Sequence, residues 1–232
     1  MQKMARAADL GADSDLSAAE RIERHLREAI IRLDLKPGTR LSEQEIADQL
    51  GVSRQPVREA IISLSKANLV EVKSKRGTFV VKISARKMIE ARFVREAIET
   101  AIVRRACTSF DPWSRAQLGA ILERQQAALG ADDKHTFRYE DEAFHLTLAT
   151  GTGCALAWDV ITDVKAHIDR VCNLQLRKST SMQTLIDEHR AIVDAIDAQD
   201  GDRAVAAMRT HLGGILSDLP KIEAENRDLF EA

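Results

Sequence analysis

Between Leu41 and Leu64 one local device occurs twice, with only a tight turn between the copies, and few chain paths satisfy that constraint. In the first copy Ser42 is placed to cap a helix, and Glu45, three residues on, completes a capping box. Leu41 and Ile46 occupy the positions of a hydrophobic staple, Ala47 and Leu50 continue the apolar face, and Gly51 ends it. In the second copy Ser53 is the cap and Val52 with Val57 the staple. Pro56 falls in the first turn, where a missing N–H is tolerated, and Ala60, Ile61 and Leu64 form the buried stripe. Two short capped helices joined by a glycine-containing turn predict a helix-turn-helix.

The flanking segments extend this unit. Ile22, Leu26, Ala29, Ile30 and Leu33 recur at helical spacing, which predicts an amphipathic helix over 17–33 before the Pro37-Gly38 turn. After the second capped helix, the β-prone runs 69–73 and 78–82 flank Ser74-Lys75-Arg76-Gly77, which predicts a hairpin with a basic tip, a wing. Charge is concentrated in the same place. The whole chain carries a net −2, yet residues 51–82 hold seven Lys+Arg against two Asp+Glu. A basic patch on an otherwise acidic chain is the electrostatic footprint of a small DNA-reading module. Ser53, Arg54, Gln55 and Arg58 lie at the start of the second helix, the end that enters the major groove in such motifs. Arginine suits guanine edges or phosphates and glutamine suits adenine, because their donors pair bidentately. Lys75 and Arg76 are placed for phosphates or the minor groove, and Gly77 for close backbone approach. Taken singly, Arg54 and Arg58 also read as ordinary solvated helix residues.

Several classes are disfavoured. No apolar run approaches membrane-spanning length, so no membrane role is expected. Residues 1–16 are polar, lack an apolar signal core and read as a disordered tail. Cys107, Cys154 and Cys172 are odd in number and widely spaced, which fits free thiols in a reducing cytoplasm.

From Ser84 onward the composition changes to successive helical patterns without strand signals. Helices are expected over about 84–109, from Asp111-Pro112, over about 132–150, along Leu156 to Leu174, over about 181–199, and along Val205 to Leu219. Six helices with short links predict an antiparallel all-α bundle over 84–225 beside the winged helix-turn-helix of 17–82. Asp141 and His145, four apart, share one helix face, while His189 and His211 lie on two later helices. A carboxylate and three imidazoles can converge on one divalent ion, although helical histidines are more often hydrogen-bonded or solvent-facing. His25, His135 and His167 have no such companions and read as structural or surface residues.

The run Pro37-Gly-Thr-Arg-Leu-Ser-Glu-Gln-Glu-Ile-Ala-Asp-Gln-Leu-Gly-Val-Ser-Arg-Gln-Pro-Val-Arg-Glu-Ala60, with Leu69-Val70 and Arg76-Gly-Thr-Phe-Val80, resembles the GntR family of transcription regulators. The resemblance implies base contact by Arg54 and Arg58, supported by Ser53, Gln55 and Gly77. Gln44 stands where several relatives carry a DNA-touching arginine, and Gln55 where threonine is commoner, so operator sequence cannot be borrowed from them. Downstream, Arg95-Glu-Ala-Ile-Glu99, Asp141-Glu-Ala-Phe-His145, Glu188-His189, Asp200 and His211-Leu212 resemble the FCD sensor domain of the FadR subfamily. In metal-binding members the positions matching Asp141, His145, His189 and His211 hold a divalent cation, and this nitrogen and oxygen set admits zinc, nickel or manganese. Arg95 resembles the arginine that faces the effector pocket in several relatives, and a salt bridge to Glu99 is the competing reading. Arg92 and Arg170 are further candidates for an effector carboxylate.

The expectation is therefore a cytoplasmic homodimeric repressor on a pseudo-palindromic operator, released by a small carboxylate or sugar acid. Two readings compete: a metal-dependent enzyme using the His/Asp set, with Glu142 or Glu188 as base, and a metal-free architectural DNA binder.

Overall fold

The computed structural model describes residues 16–175 and 179–231, and the tail read from residues 1–16 lies outside them apart from Leu16. The chain divides into two compact units, one running to Ser84 and regaining the segment from Asn226, the other spanning Ala85–Glu225.

In the first unit, α1 (Ala18–Ile31) opens on a full capping box: the Ser17 hydroxyl accepts from the Glu20 N–H, and Glu20 accepts from the Ser17 N–H. Its stripe Ile22, Leu26 and Ile30 is fully buried, packing α1 on α3 (Arg54–Lys66). At α2 (Glu43–Leu50) half of the expected box forms: Ser42 accepts from the Glu45 N–H, and Gly51 closes the helix at φ 66°. Ser53 is the N-cap residue of α3 but its hydroxyl makes no capping bond. The reason is chemical: the third residue of the helix is Pro56, which has no N–H to offer.

Three strands complete this unit. β1 (Arg40–Leu41), β2 (Val70–Lys73) and β3 (Gly77–Val80) form an antiparallel sheet in the order β1-β3-β2, with Lys73 opposite Gly77 across the wing. The sequence reading contained the hairpin but not β1, whose two residues are too few for a period to show. Beyond the helical domain the chain returns. Ile83 donates its N–H to the Leu229 carbonyl and accepts from the Glu231 N–H, and Ile83, Leu229 and Phe230 are all buried.

The second unit contains α4 (Ala85–Ala106), α5 (Pro112–Gly130), α6 (Lys134–Gly151), α7 (Ala155–Val164), α8 (Ala166–Gln175), α9 (Ser179–Asp197) and α10 (Gly201–Glu225). The single helix expected along Leu156–Leu174 is two, α7 and α8, interrupted at Lys165. Asp111 caps α5 through the Ser114 N–H with Pro112 in the first turn. One core joins α4, α5, α6, α7, α9 and α10, through side chains such as Val103, Leu118, Phe144, Ile161, Ile192 and Met208.

The last residue of α6 is a glycine because of crowding, while the left-handed turn that follows is at Gly153, φ 73°. A Cβ on Gly151 would lie 2.4 Å from Phe110 Cε2 and 2.6 Å from Ser114 Cβ. Gly151→Ala is therefore expected to destabilise the helical unit by about 1–3 kcal/mol, read as a lower midpoint in thermal unfolding by circular dichroism.

Candidate nucleic-acid interface and candidate metal centre

The start of α3 is open to solvent: Ser53, Arg54, Gln55 and Arg58 are all exposed. Because Ser53 leaves the first turn uncapped, its backbone N–H groups and the positive helix end stay available to an anion. Gln55 donates to Glu59 and Gln44 to Asp48, each at 2.8 Å. Arg54 and Arg58 both reach back to Glu43 at the start of α2. At the wing Lys75 and Arg76 are exposed, and Gly77 adopts φ 106°. A Cβ on Gly77 would come within 3.0 Å of Arg40 Nε, so this glycine lets the Arg40 side chain lie against the hairpin. Arg40 was not singled out from the sequence, since β1 was not.

The structure brings Asp141 and His145 of α6, His189 of α9 and His211 of α10 together, with one ligand atom from each lying within 4.8 Å of the others. Each imidazole has a polar side chain behind its Nδ1, in hydrogen-bond geometry for His189 and His211 and as a close charge contact without that geometry for His145. His145 Nδ1 lies 2.5 Å from Glu99 Oε2, His211 Nδ1 lies 3.0 Å from Glu188 Oε2, and His189 Nδ1 pairs with Gln125 Oε1 at 3.0 Å. An acceptor at Nδ1 keeps the proton there and leaves the Nε2 lone pair as ligand. The Nε2 atoms of His145 and His211 then face each other at 3.2 Å, and His189 Nε2 lies 3.5 Å from Asp141 Oδ1. Asp141 Oδ1 and His189 Nε2 are buried without a hydrogen-bond partner. Lone pairs turned on one another inside a protein are costly unless a cation lies among them, so the residues fit a divalent ion.

Electrostatics agree. Burial, reinforced by the charges of His211, His145 and Arg95 nearby, drives the His189 imidazole well below its ordinary range, so it is neutral near pH 7. Burial would raise the Glu99 carboxyl, but Arg95 and His145 outweigh it and hold the group well below the usual carboxylate range. Burial pushes the Cys172 thiol up to about 12, so it is a protonated thiol near neutral pH.

A cavity of about 260 Å³ opens beside the cluster, lined by Asp141, His145 and His211 together with Arg92, Arg95, Arg138 and Lys165. Trp158, Ile168, Leu212 and Ile215 supply apolar wall. Arg95 donates from Nε to Glu99 at 2.6 Å, the salt bridge read as one alternative from sequence, and its side chain also lines the cavity. Arg92 donates to the Leu212 carbonyl and pairs with Glu96 at 2.7 Å. Lys165 pairs with Asp169 at 2.8 Å and Glu142 at 3.3 Å, so the interruption between α7 and α8 seats a buried amine at the cavity. Arg170 goes elsewhere: it is fully buried, bonded to the Ala166 carbonyl and His167, and does not line the cavity. His167 is buried, while His135 is exposed.

Glu99, Gln125 and Lys165 were the functional neighbours not singled out as such. Glu99 was visible only as a partner for Arg95, and Gln125 is 64 positions from His189, so no local spacing ties them. The two carboxylates considered as catalytic bases are engaged, Glu142 with Lys165 and Glu188 with His211.

A winged helix-turn-helix joined to a helical domain with a cavity of mixed charged and apolar lining defines a ligand-responsive transcription regulator. The model for bacterial regulatory proteins of the gntR family matches residues 18–80, and the FCD domain model matches residues 90–214. The chain belongs to the GntR family and carries an FCD domain; such regulators bind operator DNA and small-molecule effectors and are not enzymes.

It is 36% identical over 211 residues to the HTH-type transcriptional repressor RspR of Escherichia coli (strain K12), covering 91% of this chain and 92% of that one. It is 26% identical to the gluconate operon transcriptional repressor of Bacillus subtilis (strain 168), over 85% of this chain and 82% of that one. A putative transcriptional regulator GntR from Rhodococcus sp. RHA1 superposes with a TM-score of 0.73 at 27% identity, covering 87% of this chain and 99% of that one. The E. coli McbR/YncC structure shares the fold, with a TM-score of 0.79 at 22% identity over 89% and 98% of the two chains. No helix among the described residues is long and apolar enough to cross a membrane.

Proposed function

We propose that the protein is a cytoplasmic homodimeric repressor whose grip on a pseudo-palindromic operator is released by a small carboxylate or sugar acid bound at a metal-centred pocket. The observation that carries the reading is the convergence of Asp141, His145, His189 and His211 beside a cavity that Arg95 also lines. Asp141 and the three imidazoles would hold a divalent ion, zinc by ligand type, with nickel or manganese as alternatives. Such an ion supplies positive charge and coordination positions to an acid's oxygens. The guanidinium of Arg95 provides a donor fork for a carboxylate, and the apolar wall sets the size of the rest. Arg54 and Arg58 contact bases with support from Ser53, Gln55 and Gly77, Lys75 and Arg76 reach phosphates or the minor groove, and Gln44 touches DNA beside them.

Communication has a covalent route. α4, which carries Arg95 and Glu99, follows directly from Ser84, and α10, which carries His211, leads directly into the segment that pairs with Ile83. Both connections of the sensor therefore end at one parallel bridge between Ile83 and Phe230. For release, the acid must favour the form that binds DNA poorly, and DNA must weaken the acid in the same ratio.

Zinc-loaded protein on promoter DNA from its own locus should lose affinity by at least about fivefold when the right organic acid is titrated in, read by fluorescence anisotropy. If no acid in a panel of hydroxy acids, sugar acids and dicarboxylates alters that affinity, the sensing proposal is wrong.

A further inference from the structure

We infer that Glu43 is a specificity-determining residue of the DNA interface: its carboxylate holds Arg54 and Arg58 as one preset reading pair. The inference rests on the reading of α3 as the base-contacting helix. Glu43 Oε2 accepts from Arg54 Nη2 and from Arg58 Nη2, both at 3.1 Å, and Glu43 Oε1 accepts from Arg58 Nε at 3.3 Å. The two arginine side chains remain more than half exposed, whereas Glu43 is a quarter exposed. Two flexible exposed cations are thus tied to one sheltered anion, across the turn that joins the two helices.

The bonding pattern decides which edges are left to DNA. Arg58 commits its Nε–Nη2 edge to Glu43, so the end formed by Nη1 and the second Nη2 hydrogen remains for a guanine or a phosphate. Arg54 commits one Nη2 hydrogen only, which leaves Nε, both Nη1 hydrogens and the second Nη2 hydrogen, and so one two-donor edge, for DNA. Fixing these long side chains before binding removes rotamer entropy that would otherwise be lost in the complex. The same carboxylate also places a negative charge near the phosphates, and sequence-blind binding is almost wholly electrostatic. Both effects push in one direction: the correct sequence gains on the incorrect ones. The Arg58 hydrogen bond, with that of Arg54, holds the Glu43 carboxyl below its ordinary range, as a charged acceptor shared by two guanidinium groups should be.

The test compares wild type with Glu43→Gln on two 20-bp duplexes of equal length, one selected by the wild-type protein from a random pool and one scrambled. The expected result is a scrambled-duplex affinity raised about threefold and a selected-to-scrambled ratio lowered about tenfold, measured by anisotropy across a salt series. Asp34→Asn, which removes a charge paired to Arg32 and holds no reading arginine, controls for net charge. An unchanged ratio in Glu43→Gln, or an equal fall in Asp34→Asn, overturns the inference. Arg58→Ala on the same duplexes separates the two levels. If it leaves the selected duplex bound, the interface reading itself fails; if it abolishes selection while Glu43→Gln does nothing, only the role of Glu43 does.

Discussion

Replacing His189 with alanine is expected to lower the affinity for Zn²⁺ by at least about a hundredfold, since loss of outer-shell partners alone typically costs 10–100-fold. Three features make this the most sensitive position. His189 is fully buried, its Nδ1 is fixed by Gln125, and its ring stacks on Phe144 with centroids 4.0 Å apart, so no other group can swing into its place. Its imidazole is also neutral well below pH 7, so binding there needs no proton to leave near neutrality. Competition with a chromophoric chelator, with metal content by mass spectrometry, provides the readout. Removing His189 strands Gln125 inside the bundle, at about 1–3 kcal/mol. Asp141→Asn, at a half-buried carboxylate of nearly the same shape, therefore serves where the alanine variant folds poorly. Exposed His135→Ala is the negative control. Zinc affinity equal to wild type in both ligand variants would remove the metal centre from the argument.

The second large effect concerns DNA. Arg54→Ala combined with Arg58→Ala is expected to weaken operator binding by about 2–6 kcal/mol, at about 1–3 kcal/mol for each lost bidentate base contact. Binding to scrambled duplex should fall far less, because Lys75, Arg76 and the open helix end remain. Glu43, a quarter exposed, would be left with no guanidinium partner and free to rehydrate, so folding should be little affected and the loss read as one of binding. Electrophoretic mobility shift with both duplexes checks this, with circular dichroism confirming the fold. Parallel losses on both duplexes would mean that these arginines only neutralise phosphate.

Much of the first unit was legible because its signals are local. Caps, staples and glycine stops act within five residues, and the α1 stripe repeats at helical spacing, so Ile22, Leu26 and Ile30 announce their own burial. Even there one local rule failed for a local reason, the missing N–H of Pro56 opposite Ser53. The interruption at Lys165 was not legible. The apolar spacing from Leu156 to Leu174 runs through it undisturbed, and hydrogen bonds from the Lys165 N–H to Ile161 and from the Asp169 N–H to Lys165 keep the helical pattern on either side.

At the site, an Asp and a His four residues apart were enough to define one helix face, His189 and His211 on later helices were candidates to join it, and the family likeness tied the four together. The orienting roles were hidden: Glu99 was marked only beside Arg95 and Glu188 only beside His189, and Gln125, on α5, had no local signal at all.

The amino-acid order alone determined where the capped helices begin, which faces are apolar, where positive charge gathers, and which side chains have the chemistry to bind DNA or a metal. Those properties depend on backbone and neighbours within a turn or two. Packing decided the rest: that His145 and His211 share one small space, that Arg170 turns away from the cavity, and that Phe230 comes back to Ile83. Such contacts join residues dozens to well over a hundred positions apart. They exist only once burial of the whole apolar surface has selected one arrangement of the helices.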